Sequence, residues 1–299
     1  MTAADHDWLD LRAPYDGAAR EHSLDLVAEA VAALRGEPAR PDDDEPLTVI
    51  DIGAGTGNSA RWFDRALRPR LGGRPIRWVL LDADQASLDA ASRQMPEAVT
   101  VTAPITELPR IAAEHLGPVT ASGDRPPSAG TAPGRLLITC SAVLDVLTAE
   151  DVDAVVDTLV RFSGVGLFLL SITESWPFDP PDRRDVLIEH AFSAHQARDG
   201  RLGDTGGAVM AAAAQRAGAR VVTGASPWEL ESPADGAFLT RFLRERVDAV
   251  IEEDPELRPV AEAWLGDRLA QTRAGMRASV DHLDVLVDAR DRDRGTTAG

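Results

Sequence analysis

The sequence predicts an α/β protein built on a doubly wound, mostly parallel sheet. Short apolar, β-branched runs alternate with stretches of helical periodicity along most of the 299 residues. The first run, residues 47–52, leads into three glycines at alternate positions, Gly53, Gly55 and Gly57. An acidic residue, Asp82, ends the second run. In a parallel sheet these two strand ends lie at the same edge, where ligands bind.

Seven strands are predicted, with helices between them. The apolar runs that define the strands are residues 47–52, 76–81, 98–102, 136–139, 165–172, 219–223 and 279–287. The last run alternates imperfectly and is interpreted as a single seventh strand. Proline-rich residues 177–182 are interpreted as a turn.

The predicted organisation is one main domain with additions. Residues 1–45 are expected to form a helical N-terminal cap, because apolar residues recur there at helical spacing. Residues 46–289 form the main domain, with lid-like insertions at about 175–207 and 231–277. A Gly/Pro-rich surface excursion at 117–134 and a disordered tail at 290–299 complete the prediction.

Composition excludes several classes of protein. The formal net charge is −18 and the chain contains no lysine, so nucleic-acid binding and Schiff-base chemistry are not expected. The single cysteine, Cys140, excludes an intramolecular disulfide, and no apolar run is long enough to cross a membrane. The N-terminus lacks the pattern of a signal peptide. We therefore expect a cytoplasmic protein without a membrane partner, and a homodimer is left open.

The glycine turn fits a nucleotide-type ligand but not every kind. Its spacing is G-x-G-x-G, and Asn58 stands where the nicotinamide fingerprint G-x-G-x-x-G requires a third glycine. No Gly-Lys-Ser/Thr sequence is present, which excludes a Walker-type phosphate loop. The helix expected after Asn58 would point free N–H groups at the ligand.

Residues 51–58 resemble motif I of the class I S-adenosylmethionine (SAM)-dependent methyltransferases. Asp82 stands where that family has the acidic residue that binds both ribose hydroxyls, and Asp84 is a nearby alternative. Residues 136–145 resemble the family's motif IV. The resemblance covers residues from about 47 to 287. It implies a Rossmann-like seven-stranded sheet with an antiparallel last strand.

The resemblance also implies the cofactor, SAM, and a set of residues that bind it. One departure stands after the third strand, where Pro104 replaces the acid that often binds adenine, and Ile105 is expected to pack on the adenine ring instead. Tyr15 in the N-terminal cap is expected either to touch SAM or simply to pack. The full set is Asp51, Gly53, Ala54, Gly55, Gly57, Asn58, Asp82, Ala83, Ile105, Thr106, Ser141 and Tyr15.

Four residues are candidates for catalysis. Asp145 follows the fourth strand and is either a base or substrate contact, or a helix-capping or solvated acid. Glu174 follows the fifth strand, either at a pocket edge or in an ordinary loop. His190 and His195 lie on a predicted lid helix, where each is either a base or a histidine without a catalytic role.

Other polar residues are not assigned to the site. His282 and Asp284 fall on the last strand and are expected to lie away from the site. Trp228 is interpreted as a structural residue that could line the pocket. No cluster of residues with metal-ligand spacing is evident, so no metal is expected.

The predicted function is methyl transfer from SAM to an O, N or C nucleophile of a small molecule. A lysine-free composition rich in arginine and alanine is typical of a high-GC bacterial source, where such enzymes often serve specialised metabolism. Three alternatives remain: other SAM chemistry on the same fold, a binding protein without activity, and a protein or RNA methyltransferase. The acidic charge argues against RNA.

Overall fold

The protein is described by a computed structural model over residues 6–35, 45–116 and 135–290. The strands of this part of the chain are β1 (Leu47–Ile52), β2 (Ile76–Asp82), β3 (Val99–Thr102), β4 (Leu136–Ser141), β5 (Val165–Ile172), β6 (Phe178–Asp179), β7 (Arg220–Ala225), β8 (Trp228–Glu231), β9 (Arg277–Val280) and β10 (His282–Asp288). The α-helices are α1 (His6–Glu21), α2 (Leu24–Arg35), α3 (Asn58–Leu67), α4 (Gln85–Gln94), α5 (Leu108–Leu116), α6 (Ala149–Arg161), α7 (Asp185–Gln196), α8 (Gly206–Arg216), α9 (Gly236–Glu253) and α10 (Arg258–Ala274).

A seven-stranded sheet in the order β3-β2-β1-β4-β5-β10-β7 forms the centre of the protein. Strands β1 to β5 pair in parallel, and β10 is antiparallel to both of its neighbours. The predicted mostly parallel sheet with an antiparallel last strand is confirmed. The strand order reverses between β1 and β4, so the switch point of the sheet lies at their carboxyl ends.

The two faces of this sheet carry separate apolar layers. Alternate side chains of a strand point to opposite faces. Leu47 and Val49 of β1 pack in the layer that contains α2 and α3. Ile50 and Ile52 pack in the layer that contains α5, α6 and α8. The apolar runs of the sequence are continuous because both faces are buried.

A second, three-stranded antiparallel sheet in the order β6-β9-β8 lies beside helices α7, α9 and α10. Helix α9 packs against both α7 and α10. Aromatic rings fill the space between these elements, with Trp176 edge-on to Phe242 and to Trp264. We refer to β6, α7, β8, α9, α10 and β9 together as the helical insert.

The prediction of one strand over residues 279–287 is wrong. The backbone N–H of Asp281 donates to the carbonyl of Ser175, and the Asp281 carbonyl accepts from Thr173. These bonds separate β9, in the small sheet, from β10, in the central sheet. The apolar pattern continues through Asp281 because both sheets are buried at this point. The predicted turn at 177–182 likewise contains β6.

Two other predictions fall outside the described residues. They are the Gly/Pro-rich excursion at 117–134 and the disordered tail beyond residue 290. No helix in the described ranges combines the length and the apolar character that a membrane span requires.

Candidate active site

The glycine turn lies at the carboxyl end of β1, between that strand and α3. Gly53, Gly55 and Gly57 all have positive φ angles, of 61°, 53° and 83°. A Cβ on Gly53 would lie 2.8 Å from the Val143 side chain, whereas a Cβ on Gly55 would meet nothing within 4 Å. Gly53 therefore allows close packing, and Gly55 borders open space. No side chain caps the N-terminus of α3, which leaves its first N–H groups available.

Asp82, at the end of β2, closes the other side of this space. Its Oδ2 accepts a hydrogen bond from the backbone N–H of Gly55 at 2.8 Å, and its Oδ1 accepts from the N–H of Asp84 at 2.9 Å. Asp84 instead caps α4, accepting from the N–H groups of Ala86 and Ser87 at 3.1 Å each. Asp82 is thus the acid that faces the turn, while Asp84 has a structural role.

Asp51 connects the beginning of α3 to β4 through hydrogen bonds. It is fully buried and accepts hydrogen bonds from the hydroxyls of Ser59, at 2.7 Å, and Thr139, at 2.6 Å. Burial raises the pKa of Asp51 to about 6, although both hydroxyls and the nearby Arg20 favour its ionised form. Asp51 therefore positions the start of α3 against β1 and β4.

The first helix brings a charged face to this edge of the sheet. Arg12, Asp16 and Arg20 follow one another at intervals of four residues on α1. Asp16 and Arg20 are each only 3% exposed. The Nε of Arg20 donates to the Oγ of Ser141, at the end of β4, over 2.9 Å. Asp16 pairs with Arg12 at 2.9 Å and with Arg20 at 3.6 Å.

His282 and Asp284 lie at the same edge, and the prediction that they lie away from the site is wrong. Because β10 is antiparallel, its first residues stand at the carboxyl ends of the parallel strands. The buried Asp284 carboxylate accepts hydrogen bonds from the hydroxyls of Ser23 and Ser226. It also accepts from the N–H of Leu170, which has a φ of 56° within β5. Asp284 thus joins the N-terminal helices to the central sheet.

Asp145 lies in a 3-10 turn, residues 144–146, directly after β4. The residue is half-buried, and desolvation raises the pKa of its carboxyl above the ordinary value, against the opposing effect of Arg12 and Arg201. A carboxylate in this state accepts protons more readily than one in water. Asp145 lies two residues after Val143, whose side chain packs against Gly53, and the catalytic role of Asp145 stays a prediction.

The other three catalytic candidates lie on the helical insert or its borders. Glu174 is exposed in the loop after β5, and His190 is exposed on α7. His195, also on α7, lies with Nε2 3.5 Å from a carboxylate oxygen of Glu252 on α9, at a partly exposed helix contact. Catalysis by these residues stays a prediction, because the structure does not bring them together with Asp145.

The remaining cofactor-binding candidates divide into those at the turn and those elsewhere. Ala54 donates its N–H to the carbonyl of Leu81, and Asn58 begins α3. Ala83 is exposed beside Asp82. The last two, after β3, are the partly buried Ile105, which packs on the apolar layer, and the exposed Thr106.

Tyr15 contacts the helical insert. Its hydroxyl donates to Asp235 at 2.9 Å, and its ring lies 4.2 Å from that of Phe238. Burial and the Asp235 carboxylate raise its pKa to about 12. These contacts hold the N-terminal cap against the insert, and they favour the packing alternative for Tyr15.

Comparison with solved structures finds the same fold in a loganic acid methyltransferase with bound SAH (S-adenosylhomocysteine). The TM-score is 0.53 at 10% identity, over 95% of this chain and 97% of that chain. The chain has the class I methyltransferase fold. A plantazolicin methyltransferase, BamL, in complex with a triazolic desmethylPZN analog and SAH, gives a TM-score of 0.43 at 9% identity, over 95% and 93% of the two chains. No protein-family model and no curated protein matches the sequence.

Within this class I methyltransferase fold, the structure adds residues that the sequence analysis did not assign to the site. They are Arg12, Asp16 and Arg20 on α1, and Arg246 on α9. The spacing of the first three was a usable signal, because charges of alternating sign at intervals of four residues mark one helix face. Arg246 stands in the charged run Arg244-Glu245-Arg246, which is typical of a solvated surface. No group of metal-binding side chains occurs in the described ranges.

Proposed function

We propose that this protein is a SAM-dependent methyltransferase that acts on a small molecule. The observation that carries the proposal is the contact of Asp82 with the N–H of Gly55 beside open space. A carboxylate has about four acceptor positions, so Asp82 can hold the turn and still accept two hydroxyl protons. That arrangement suits the vicinal diol of a ribose.

The residues around the turn fit the other parts of SAM. Open space at Gly55 lets the backbone approach the cofactor without a Cβ between them. The uncapped N-terminus of α3 offers N–H groups and a partial positive charge to a carboxylate such as that of the methionine portion. Ile105 and Thr106 would border the adenine. When bound, SAM supplies a methyl group on a sulfonium, which is an excellent leaving group.

In this proposal Asp145 is the residue that would accept a proton from the methyl acceptor. It follows β4 at the switch point and its pKa lies above the ordinary value, both of which suit a general base. Arg12 and Arg201 oppose this rise in pKa and would stabilise the ionised carboxylate. An acceptor that is already deprotonated would need alignment and exclusion of water but no base.

Two features favour a small molecule as the methyl acceptor: the net charge of the protein and the helices that border the carboxyl edge of the sheet. The formal net charge of −18 disfavours a nucleic-acid acceptor. The N-terminal cap and the helical insert meet through Tyr15 and Asp235, so the insert would act as a lid over the site. A cytoplasmic location and a role in bacterial specialised metabolism remain predictions from composition.

Isothermal titration with SAM and SAH tests the proposal. Asp82→Asn should weaken binding of both by at least about tenfold, since the amide can no longer accept on both sides. Asp89→Asn on the exposed face of α4 is the matched control and should bind as the wild type does. Absence of SAM and SAH binding to the wild type at millimolar concentration would contradict the proposal and favour a binding protein of another kind.

Incubation with SAM labelled in the methyl group separates methyl transfer from other SAM chemistry. The protein is mixed with a small-molecule extract, and the products are resolved by mass spectrometry. A labelled acceptor with matching SAH supports methyl transfer. SAM consumption that leaves the label on a product other than a methylated acceptor favours the alternative chemistry.

A further inference from the structure

Arg246 lies inside the helical insert, and its guanidinium group contacts three aromatic rings. Its guanidinium carbon is 3.2 Å from the ring centroid of Phe242, 4.6 Å from that of Phe192 and 5.2 Å from that of Trp176. The residue is 6% exposed. Aromatic faces attract a cation, but they accept no conventional hydrogen bond in the plane of the guanidinium.

Arg246 has no anionic partner among the residues that the structure describes. Its Nε is completely buried and has no hydrogen bond. The two terminal nitrogens are not in this class of buried, unpartnered atoms. The adjacent carboxylate, Glu245, pairs with Arg241 at 2.8 Å. Desolvation holds the pKa of Arg246 well below its usual range, and Glu245 opposes this effect. A buried charge in this position lacks the partner that such groups normally have.

Another arginine of the insert shows what a purely structural role requires. Arg268 also lies against two rings, with its guanidinium carbon 4.3 Å from the Phe178 centroid and 5.6 Å from that of Trp264. The Nε of Arg268 is likewise buried without a hydrogen bond, but its terminal nitrogens form an ion pair with Asp185 and donate to the carbonyl of Pro180 at 2.7 Å. Arg246 has the rings but not the acceptors.

A continuous row of contacts joins Arg246 to the carboxyl edge of the sheet. From Ser141, hydrogen bonds and ion pairs lead through Arg20 and Asp16 to the indole N–H of Trp228, which lies 3.2 Å from Asp16. The Trp228 ring then contacts His282, at a centroid distance of 4.9 Å, and Phe242, at 6.4 Å. Arg246 lies against the Phe242 ring, and its charge contributes to lowering the pKa of His282.

Carboxylates accompany the arginines at the start of this row. Arg12 and Arg20 pair with Asp16, and Arg20 also lies near the buried Asp51 and Asp284. His282 adds no positive charge, because burial lowers its pKa to about 4 and keeps the imidazole neutral near pH 7. Arg246 is thus the arginine of this row that has no carboxylate partner among the described residues.

We propose that Arg246 binds a carboxylate of the methyl acceptor, so that the substrate is an organic acid with an aromatic or apolar body. The stacked guanidinium donates from its edge, which matches a planar carboxylate, and the half-buried ring of Phe192 would border the apolar body. This inference rests on the proposed function for the identity of the reaction, but the anion site can be tested without turnover.

Binding of simple carboxylates tests the site directly. The probes are sodium benzoate and sodium phenylacetate, with benzamide as the neutral analogue and inorganic phosphate as a second anion. Ligand-observed NMR titrations are run with and without saturating SAH. We expect saturable binding of at least one carboxylate, weaker by about tenfold or more for benzamide and for the Arg246→Met protein. Arg246→Lys should fall between the two proteins.

Arg241→Met, on the same helix, is the matched control and should bind the carboxylate as the wild type does. Circular dichroism verifies that each variant is folded. The proposal is overturned if Arg246→Met binds the carboxylate as tightly as the wild type, if the wild type binds neither carboxylate, or if benzamide or phosphate binds as well. The SAH isotherm is scored separately: its loss contradicts the proposed function, whereas loss of carboxylate binding alone contradicts only this inference.

Discussion

The Nε of Arg20 donates a hydrogen bond to the Oγ of Ser141 over 2.9 Å, across 121 positions of the chain. This bond joins the N-terminal helix to the strand end at the switch point of the sheet. It makes the first helix part of the candidate site, because Arg20 also lies close to the buried Asp51.

Arg20→Met should therefore affect ligand binding more than stability. Asp16 keeps Arg12 as a partner, so we expect a loss of only about 1 kcal/mol in the free energy of unfolding. Ser141 loses its donor and Asp51 loses a nearby positive charge, and SAH affinity should fall by about tenfold. Titration calorimetry and urea unfolding measure the two effects. Arg65→Met on the exposed part of α3 is the control, and a pure stability loss in Arg20→Met would contradict the prediction.

Gly55 and Gly73 offer a matched comparison, because both have open space where a side chain would begin. Both have positive φ angles, of 53° and 94°, and a Cβ on either would meet nothing within 4 Å. Alanine at each position should cost about 1–2 kcal/mol of stability from the left-handed backbone. Only Gly55→Ala should also weaken SAH binding, since its methyl group enters the space beside Asp82. Equal SAH affinity in both variants would remove the turn from the binding site.

The buried Asp51 predicts a pH-dependent difference in stability. Its pKa in the folded protein is about 6, above the ordinary 3.8, so the folded state binds this proton more tightly than the unfolded state does. The stabilising contribution of the protonated form is present below pH 3.8 and is lost as the pH rises through about 6.

Asp51→Asn lacks this ionisation and keeps the shape of the side chain. The melting temperature of the variant minus that of the wild type should therefore increase from about pH 4.5 to about pH 7.5. Taking the difference cancels the contributions of Asp145 and Asp284, whose pKa values are also raised. Differential scanning fluorimetry measures it, and a difference that is constant with pH would show that Asp51 does not titrate in this window.

Replacement by methionine should reduce stability much more at Arg268 than at Arg246. Arg268→Met leaves the carboxylate of Asp185 without its ion pair in a largely buried position, and we expect a loss of about 3 kcal/mol. Arg246→Met leaves no carboxylate behind and should change stability by less than about 1 kcal/mol. Urea unfolding of both proteins provides the measurement. A large loss in Arg246→Met would mean that its contacts with the rings are mainly structural.

The central sheet was predictable from the sequence because most of its strands are apolar, β-branched runs, and because the first two end at Gly53 and at Asp82. The small sheet was not, since β6 has two residues and β9 continues the apolar pattern of β10 without a break. The antiparallel direction of the last strand was expected, but His282 and Asp284 were still placed away from the site. They lie at the carboxyl edge because the first residues of an antiparallel strand, and not its last, stand at the carboxyl ends of the parallel strands.

The charged residues of the site were harder to predict than its glycines. A glycine turn is a local signal, because it needs only neighbouring residues to be interpreted. The burial of Arg20 depends on the packing of α1 across the sheet, and that of Arg246 depends on rings from three separate segments. Arg20 and Arg246 look like ordinary solvated arginines until the chain around them is assembled.

The break at Asp281 separates the two sheets by only one residue. A connector of one residue restricts relative movement, so β9 cannot move away from β10 as a mobile lid element would. In the proposed lid, opening would instead come from displacement of α7 or the start of α9, which longer segments connect to the sheets. Grafting a different lid onto this scaffold would accordingly succeed at those helices and fail at β9, where a new sequence would also disturb the sheet beneath it.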